Sequence, residues 1–300
     1  MMSGLRKCLV VSVNTVTWLQ RRCFRPSRVC LKLELKYETD RYNGVLVDLA
    51  GMPHEISDID FDKLLTDSLM SWRSERKSNV WMKVPMSLSS LISVAGHHGF
   101  TYHHAEGTSA MLKLWLDDSR DDVTPQFATH QIGVSGFVIR EDVRQLLVVQ
   151  DKHRPHTLWK FPGGLADLGE DIGDTAVREV YEETGIHTQF ISILAFRQQH
   201  SQPGAFGRSD IYVICRLKPL SFDIKPCISE IRKCEWMDLD RLRNEVSSTA
   251  PLTLRLVDLV RFGLDSGFDN IDICGEEMLS IYKGLKYKLY HRPLPSTWKL

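Results

Sequence analysis

Three glutamates near the middle of this 300-residue sequence limit its fold and chemistry more than any other feature. Glu179, Glu182 and Glu183 stand at positions i, i+3 and i+4, so a helix places their carboxylates on one side of a single turn. Like charges at this spacing repel each other by roughly 0.2–0.5 kcal/mol per pair. A compensating cation is therefore expected, and ligands that are all oxygen favour Mg²⁺ or Mn²⁺.

The residues around these glutamates predict a loop followed by a helix. Gly163 and Gly164 come after an apolar run and suit a backbone that lies close to a ligand. The helix has an apolar face opposite the carboxylates and a glycine stop, at Ala176, Val177, Val180, Tyr181 and Gly185. A solvated acidic helix is the ordinary alternative for such a pattern. The glycines and Arg178, whose guanidinium can fix the rotamer of a glutamate, favour the metal site.

The stretch from Gly164 to Ile186 resembles the signature of the Nudix hydrolases. That signature is a glycine, five residues, a glutamate, seven residues and R-E-U-x-E-E-x-G-U, where U is a bulky aliphatic residue. Every specified position matches, at Gly164, Glu170, Arg178, Glu179, Val180, Glu182, Glu183, Gly185 and Ile186. The resemblance implies an α/β/α sandwich, a mixed sheet between helices, and a pyrophosphohydrolase that uses Mg²⁺ or Mn²⁺.

The resemblance also implies a set of metal ligands. Glu179 and Glu183 are the expected primary ligands, and Glu182 shares the site. Glu170 is a candidate ligand for an additional ion. The backbone carbonyl of Gly164 is a further candidate ligand.

The catalytic base is not fixed by the resemblance. Arg178 belongs to the expected catalytic group, but the base of these enzymes lies either within the signature or on a later loop. Glu230, in the stretch CISEIRKCEWM, is the candidate on a later loop. An ordinary surface glutamate is the competing interpretation of Glu230.

Substrate choice has to come from residues outside the signature. From Thr129 to about Pro219 the sequence is similar to the Nudix subgroup that includes the plant ADP-ribose and NADH hydrolases, which makes these two compounds the expected substrates. The segment from Arg197 to Asp210 contains two glycines and a proline, typical of a mobile loop around a ligand. The candidate substrate-binding residues in it are Gln198, His200, Arg208 and Asp210.

Two other functions are compatible with the sequence. One is a Nudix protein that senses a nucleotide or binds a partner without turnover, with a regulatory role in cell proliferation. The intact glutamates argue against it, because a pure sensor has no need of a repulsive cluster. The other is RNA decapping, for which the basic and aromatic stretch Lys283–Arg292 offers contacts. The same alternation also predicts a half-buried edge strand.

Length and composition predict a folded protein of two domains, since 300 residues exceed the usual size of one core and 43% of them are apolar. A small α/β domain of four strands and two helices is expected at 35–120, and the Nudix domain at 129–295. The resemblance implies that the small domain is acetyltransferase-like. The polar segment Asp117–Thr129 has the composition of a linker. A net charge of zero makes nucleic acid an unexpected partner, and a homodimer is compatible with the sequence.

The first 33 residues differ in composition from the rest. They contain no acidic residue and carry the basic residues Arg6, Lys7, Arg21, Arg22, Arg25, Arg28 and Lys32. This composition favours a mitochondrial presequence, with an untargeted tail in the cytoplasm or nucleus as the alternative. No segment of the sequence is long and apolar enough to predict a membrane span.

Overall fold

The computed structural model describes residues 34–153, 158–246 and 250–294. The chain divides into two compact units, and the division lies between Pro125 and Gln126, within the linker stretch Asp117–Thr129. The expected presequence or tail at residues 1–33 lies outside the described residues.

The first unit contains a five-stranded sheet and two α-helices. Its elements are β1 (Tyr37–Thr39), β2 (Val45–Asp48), α1 (Asp58–Ser74), β3 (Asn79–Pro85), α2 (Ser90–His97), β4 (Thr101–Glu106) and β5 (Ser109–Trp115). The strands follow the order β1-β2-β3-β5-β4 across the sheet. Strands β2 and β3 are parallel, and the other neighbours are antiparallel.

Helix α1 shows how the sequence builds this unit. Its first turn is capped by Ser57, whose hydroxyl accepts a hydrogen bond from the Asp60 N–H at 3.1 Å. Phe61 and Leu65 lie one turn apart on its apolar face and are buried in the same core as Met82 of β3. The small α/β unit predicted from the sequence is confirmed. Strand β1 was not predicted, because its three exposed residues carry no alternating pattern.

The second unit contains another five-stranded sheet, which is mixed. Its strands are β6 (His130–Arg140), β7 (Gln145–Asp151), β8 (Thr188–Gln199), β9 (Ser209–Pro219) and β10 (Ile231–Asp238). They follow the order β10-β7-β6-β9-β8, with β6 and β9 parallel and the other neighbours antiparallel. The helices of this unit are α3 (Ile172–Thr184), α4 (Leu239–Glu245) and α5 (Pro251–Ser266).

Helices cover both faces of this second sheet. Val134 and Val138 of β6 are buried in a core with Val180 of α3. Phe137, on the opposite face of the same strand, is buried in a separate core with Val257 of α5. The side chains of a strand alternate between faces, so these two cores lie on opposite sides of the sheet. The α/β/α arrangement that the sequence resemblance implies is confirmed.

A hairpin follows the last helix. Its strands are β11 (Cys274–Leu279) and β12 (Lys286–His291), so the stretch Lys283–Arg292 contains a strand, as the edge-strand interpretation predicts. Lys286 is paired with Glu277 at 2.5 Å and Lys288 with Asp171 at 2.6 Å. Within the described part of the chain, no helix combines the length and apolar character that crossing a membrane requires.

Candidate active site

The glycine loop of the signature lies directly against helix α3. A Cβ atom on Gly164 would lie 2.6 Å from the carboxylate of Glu179, so a larger residue here would displace that carboxylate. The same loop is joined to β6, because the N–H of Val134 donates to the carbonyl oxygen of Gly164 at 2.8 Å. Helix α3 ends at Gly185, whose φ of +72° favours glycine. These contacts fix the loop backbone beside Glu179.

Glu183 is buried, with 7% of its side chain exposed. Its carboxylate accepts hydrogen bonds from the N–H of Gly163 at 3.2 Å and from Nζ of Lys160 at 3.4 Å. Burial raises the pKa of Glu183 to about 7, and the neighbouring charge of Glu179 acts in the same direction, while Lys160 lowers it. A divalent cation bound beside Glu183 would favour the ionised form of this carboxylate.

Arg178 connects the signature glutamates with one another and with the loop. Its Nη1 donates to Glu179 at 2.8 Å and to Glu182 at 3.1 Å. Its Nε and Nη2 donate to the two carboxylate oxygens of Glu170 at 2.8 and 2.9 Å. Nη2 also donates to the carbonyl oxygen of Leu165 at 3.1 Å. One guanidinium thus orients three carboxylates, a role that agrees with the expected support of glutamate rotamers.

Glu170 is held by protein groups on both of its carboxylate oxygens. Besides Arg178, the N–H of Asp167 donates to it at 3.1 Å and the hydroxyl of Thr175 at 2.9 Å. The hydrogen bonds from Arg178, ahead of the other contacts, lower the pKa of Glu170 to about 2. The structure therefore shows Glu170 as the anchor of Arg178, and its role as ligand of an additional ion stays a prediction.

The carboxylate oxygens of the signature suit a divalent cation, although the described part of the structure does not bring three such side chains together. In residues 34–153, 158–246 and 250–294, no three His, Cys, Asp or Glu side chains form a group that could hold a metal ion. Glu179 and Glu183 are nevertheless adjacent carboxylates whose pKa values are raised first of all by burial. Such a pair of oxygen donors suits Mg²⁺ or Mn²⁺. Glu182 is 57% exposed and lies at the rim.

Two further candidates lie close to α3. The carbonyl oxygen of Gly164 accepts the hydrogen bond from Val134 and retains a second lone pair, which is the one a ligand role requires. Glu230 is exposed and stands just before β10. The segment that carries it is joined to the end of α3, since the N–H of Cys227 donates to the carbonyl oxygen of Glu183 at 3.0 Å.

A cavity of about 570 Å³ opens beside the glycine loop. Gly163 and Gly164 form one part of its wall, and the first turn of α5 forms another through Pro251 and Leu252. Its remaining lining includes aromatic rings and polar groups, namely Trp159, Tyr212, Lys160, Arg197, Gln131 and Asp210. This volume and mixture of side chains are typical of a site for a small organic ligand.

Of the four substrate-binding candidates, Asp210 lines this cavity and the other three do not. It is buried and accepts hydrogen bonds from Nη2 of Arg197 at 2.5 Å and from Gln131 at 3.2 Å. The guanidinium of Arg197 also lies 5.1 Å from the centre of the Tyr212 ring. Asp210 therefore orients a cation at the cavity wall.

The other three candidates contact protein groups near the ends of β8 and β9. Gln198 lies 3.0 Å from Nε2 of His130, and Nδ1 of His200 lies 2.8 Å from the hydroxyl of Ser209. Arg208 donates to the carbonyl oxygen of Phe127 at 3.0 Å. These residues do not line the described cavity, so their roles in substrate binding stay predictions. The predicted loop is also shorter than expected, because Gln198 lies in β8 and Asp210 in β9, which pair along these residues and leave only 200–208 outside the strands.

Sequence reasoning did not assign a role to Lys160, Arg197, Gln131 or Tyr212. Lys160 stands four residues before Gly164, and its position next to the signature is a signal that the sequence does contain. Gln131 and Tyr212 come together because β6 and β9 run parallel, with Gln131 opposite Asp210. That pairing joins residues 79 positions apart, and local periodicity does not reveal it.

A glycine loop packed against a helix that carries a cluster of glutamates, on an α/β/α sandwich, is the arrangement that the signature predicts. Residues 35–116 match the family model described as the Nudix hydrolase domain, and residues 129–256 match the one described as the NUDIX domain. The chain belongs to the Nudix hydrolase family.

Relatives support this assignment over most of the sequence. The chain is 47% identical over 268 residues to nucleoside diphosphate-linked moiety X motif 6 of Homo sapiens, an alignment that covers 89% of this chain and 84% of that protein. It is 42% identical over 209 residues to Nudix hydrolase 2 of Arabidopsis thaliana, covering 69% of this chain and 73% of that protein. The protein is accordingly a pyrophosphohydrolase of nucleoside diphosphate-linked compounds, and this family generally uses divalent cations.

Proposed function

We propose that this enzyme hydrolyses ADP-ribose and NADH with Mg²⁺ or Mn²⁺. The observation that carries the proposal is the cavity beside the glycine loop. With about 570 Å³ it lies within the range of roughly 300–1,000 Å³ that small-molecule sites occupy. It has aromatic walls for a base and two cations, Lys160 and Arg197, for anionic groups. Aromatic walls and two cations together suit a ligand that has both a base and a diphosphate, such as a dinucleotide.

The proposed reaction is the attack of water on one phosphorus of the diphosphate. The new bond joins the water oxygen to phosphorus, and the bond from that phosphorus to the bridging oxygen breaks. ADP-ribose then gives AMP and ribose 5-phosphate, and NADH gives AMP and reduced nicotinamide mononucleotide. The bridging oxygen leaves with the second phosphate, and a base accepts the proton of the water.

The chain supplies ligands and a candidate base for this reaction. Glu179 and Glu183 would hold the divalent ion, which when bound supplies neutralisation of charge on the phosphate oxygens. Arg178 holds Glu179 in its rotamer through the 2.8 Å hydrogen bond. Glu230 is the candidate base outside the signature, and its exposure leaves its carboxylate accessible to water.

A substrate panel tests this proposal. ADP-ribose, NADH, NAD, nucleoside diphosphate sugars, oxidised nucleoside triphosphates and capped RNA are each assayed with Mg²⁺ and with Mn²⁺. We expect the highest kcat/KM for ADP-ribose or NADH. A higher value for triphosphates or for capped RNA would contradict the proposal. The pairing of Lys286 and Lys288 with acidic side chains gives the decapping alternative no support from this stretch.

A further inference from the structure

Lys160 contacts the signature helix and also lines the cavity. Its backbone is fixed by two hydrogen bonds with Val149, at 2.8 and 3.0 Å, immediately before the glycine loop. Its Nζ lies 3.4 Å from Oε1 of Glu183 and 3.4 Å from Oδ2 of Asp151. The side chain is 24% exposed and forms part of the cavity wall together with Gly163. The ammonium is therefore placed between the metal ligand and the space for the substrate.

The two contacts of this ammonium are long. Hydrogen bonds between an ammonium and a carboxylate are typically about 2.7–2.9 Å, whereas both of these measure 3.4 Å. The charge is thus shared between Asp151 and Glu183. Arg197, the other cation at the cavity, is held much more closely by Asp210 at 2.5 Å. Lys160 is the more easily redirected of these two side chains, since a flexible four-carbon stem carries its charge.

A divalent ion held by Glu183 would change the electrostatic surroundings of Lys160. It would neutralise the carboxylate that Lys160 contacts, and it would repel the ammonium because both are positive. The ammonium would then be stabilised most by a contact with another anion on the cavity side. On the proposed function, that anion is the diphosphate of the substrate.

We propose that Lys160 binds the diphosphate of the substrate once a divalent ion is held at Glu183. In the metal-free protein the same ammonium partly neutralises Glu183. Lys160 exchanges Glu183 for a phosphate oxygen when metal and substrate bind, and its charge stabilises the negative charge that develops during attack by water. This inference rests on the proposed function for the identity of the anion.

The test measures metal binding and diphosphate binding separately. Lys160→Gln removes the charge and Lys160→Arg retains it. Lys233→Gln is the matched control, because Lys233 is an exposed lysine on the neighbouring strand β10 and does not line the cavity. Binding of Mn²⁺ alone is followed by electron paramagnetic resonance. Binding of α,β-methylene-ADP, a diphosphate that resists hydrolysis, is followed by calorimetry at saturating Mg²⁺.

We expect Lys160→Gln to bind Mn²⁺ at least as tightly as the wild type and to bind the methylene diphosphate about 10- to 100-fold more weakly. Lys160→Arg is expected to stay within about 5-fold of the wild type, since it keeps the charge. Lys233→Gln should match the wild type in both measurements. Thermal unfolding of each variant shows that it is folded.

Two results would overturn the inference. One is unchanged affinity of Lys160→Gln for the methylene diphosphate. The other is a loss of Mn²⁺ affinity in that variant with normal diphosphate affinity once metal is saturating, which would mean that Lys160 only holds Glu183 in place. Failure of the proposed function gives a different pattern, in which the wild type binds the methylene diphosphate through Lys160 but cleaves neither ADP-ribose nor NADH.

Discussion

At Glu183, burial disfavours the ionised form of the carboxylate, whereas Lys160 and the N–H of Gly163 favour it. The carboxylate is surrounded by protein, which disfavours its ionised form, yet a metal ligand must be ionised to bind a cation. The hydrogen bonds from Gly163 and Lys160 offset part of the cost of burying this charge. We therefore propose that stability has been exchanged for metal binding at Glu183.

Replacement of Glu183 by glutamine tests this exchange. Glu183→Gln keeps the shape of the side chain and removes a ligand charge, so we expect turnover to be lost while the thermal unfolding temperature is retained or rises slightly. Activity assays and thermal unfolding of the metal-free protein measure the two effects. Glu182→Gln is the control, because Glu182 is 57% exposed and a smaller loss is expected there. Wild-type turnover in Glu183→Gln would exclude metal ligation by this residue.

The pKa of Glu183 also predicts how stability depends on pH. Its folded-state pKa of about 7 is above the ordinary value of 4.5, so the folded protein binds this proton more tightly than the unfolded chain does. The resulting stabilisation is fully present below pH 4.5 and is lost as pH rises through about 7. Urea unfolding in the presence of a chelator should show this loss, on the order of a few kcal/mol. Glu183→Gln should remove it, and identical pH profiles for both proteins would contradict the assignment.

At the scale of elements, Arg178 ties α3 to the loop that precedes it. Lysine at this position keeps one charge but cannot donate at once to Glu170, Glu179 and the carbonyl oxygen of Leu165. We expect Arg178→Lys to lower the free energy of unfolding by about 1–3 kcal/mol, and to weaken Mn²⁺ binding because Glu179 loses its orientation. Urea unfolding and Mn²⁺ titration measure these effects.

Arg241→Lys on α4 is the control for that experiment. Arg241 is 51% exposed and pairs with Glu235 and Glu245 at the surface, where such pairs contribute little to stability. Equal effects of the two substitutions would mean that Arg178 forms no more than an ordinary surface pair.

Helix α3 could be predicted from the sequence, but the wall of the cavity could not. Helix α3 follows from the period of Ala176 and Val180 and from the stop at Gly185, because these are local properties. The cavity wall does not follow, since Gln131 and Asp210 meet only through the parallel pairing of β6 with β9. Glycines predict a mobile loop, but they do not predict which of its side chains face the cavity. In the structure Asp210 lines the cavity, whereas Arg208 contacts Phe127.

At the scale of the whole molecule, the glycine loop, helix α3 and the cavity beside them all belong to the second unit. The first unit matches a family model of its own at residues 35–116, and an acetyltransferase-like fold for it stays a prediction. A homodimer is likewise a prediction, which sedimentation of the purified protein at several concentrations checks.

The location of the protein in the cell is the last property that the sequence predicts. Residues 1–33 carry seven basic residues and no acidic one, and we propose that they direct import into mitochondria. A fusion of these residues to a fluorescent protein should colocalise with a mitochondrial marker, because presequences are recognised through basic and apolar side chains. Neutralising Arg21, Arg22, Arg25 and Arg28 should release the fusion into the cytoplasm and nucleus. Diffuse fluorescence that is the same before and after neutralisation would contradict import, and an untargeted tail would then be the better interpretation of this segment.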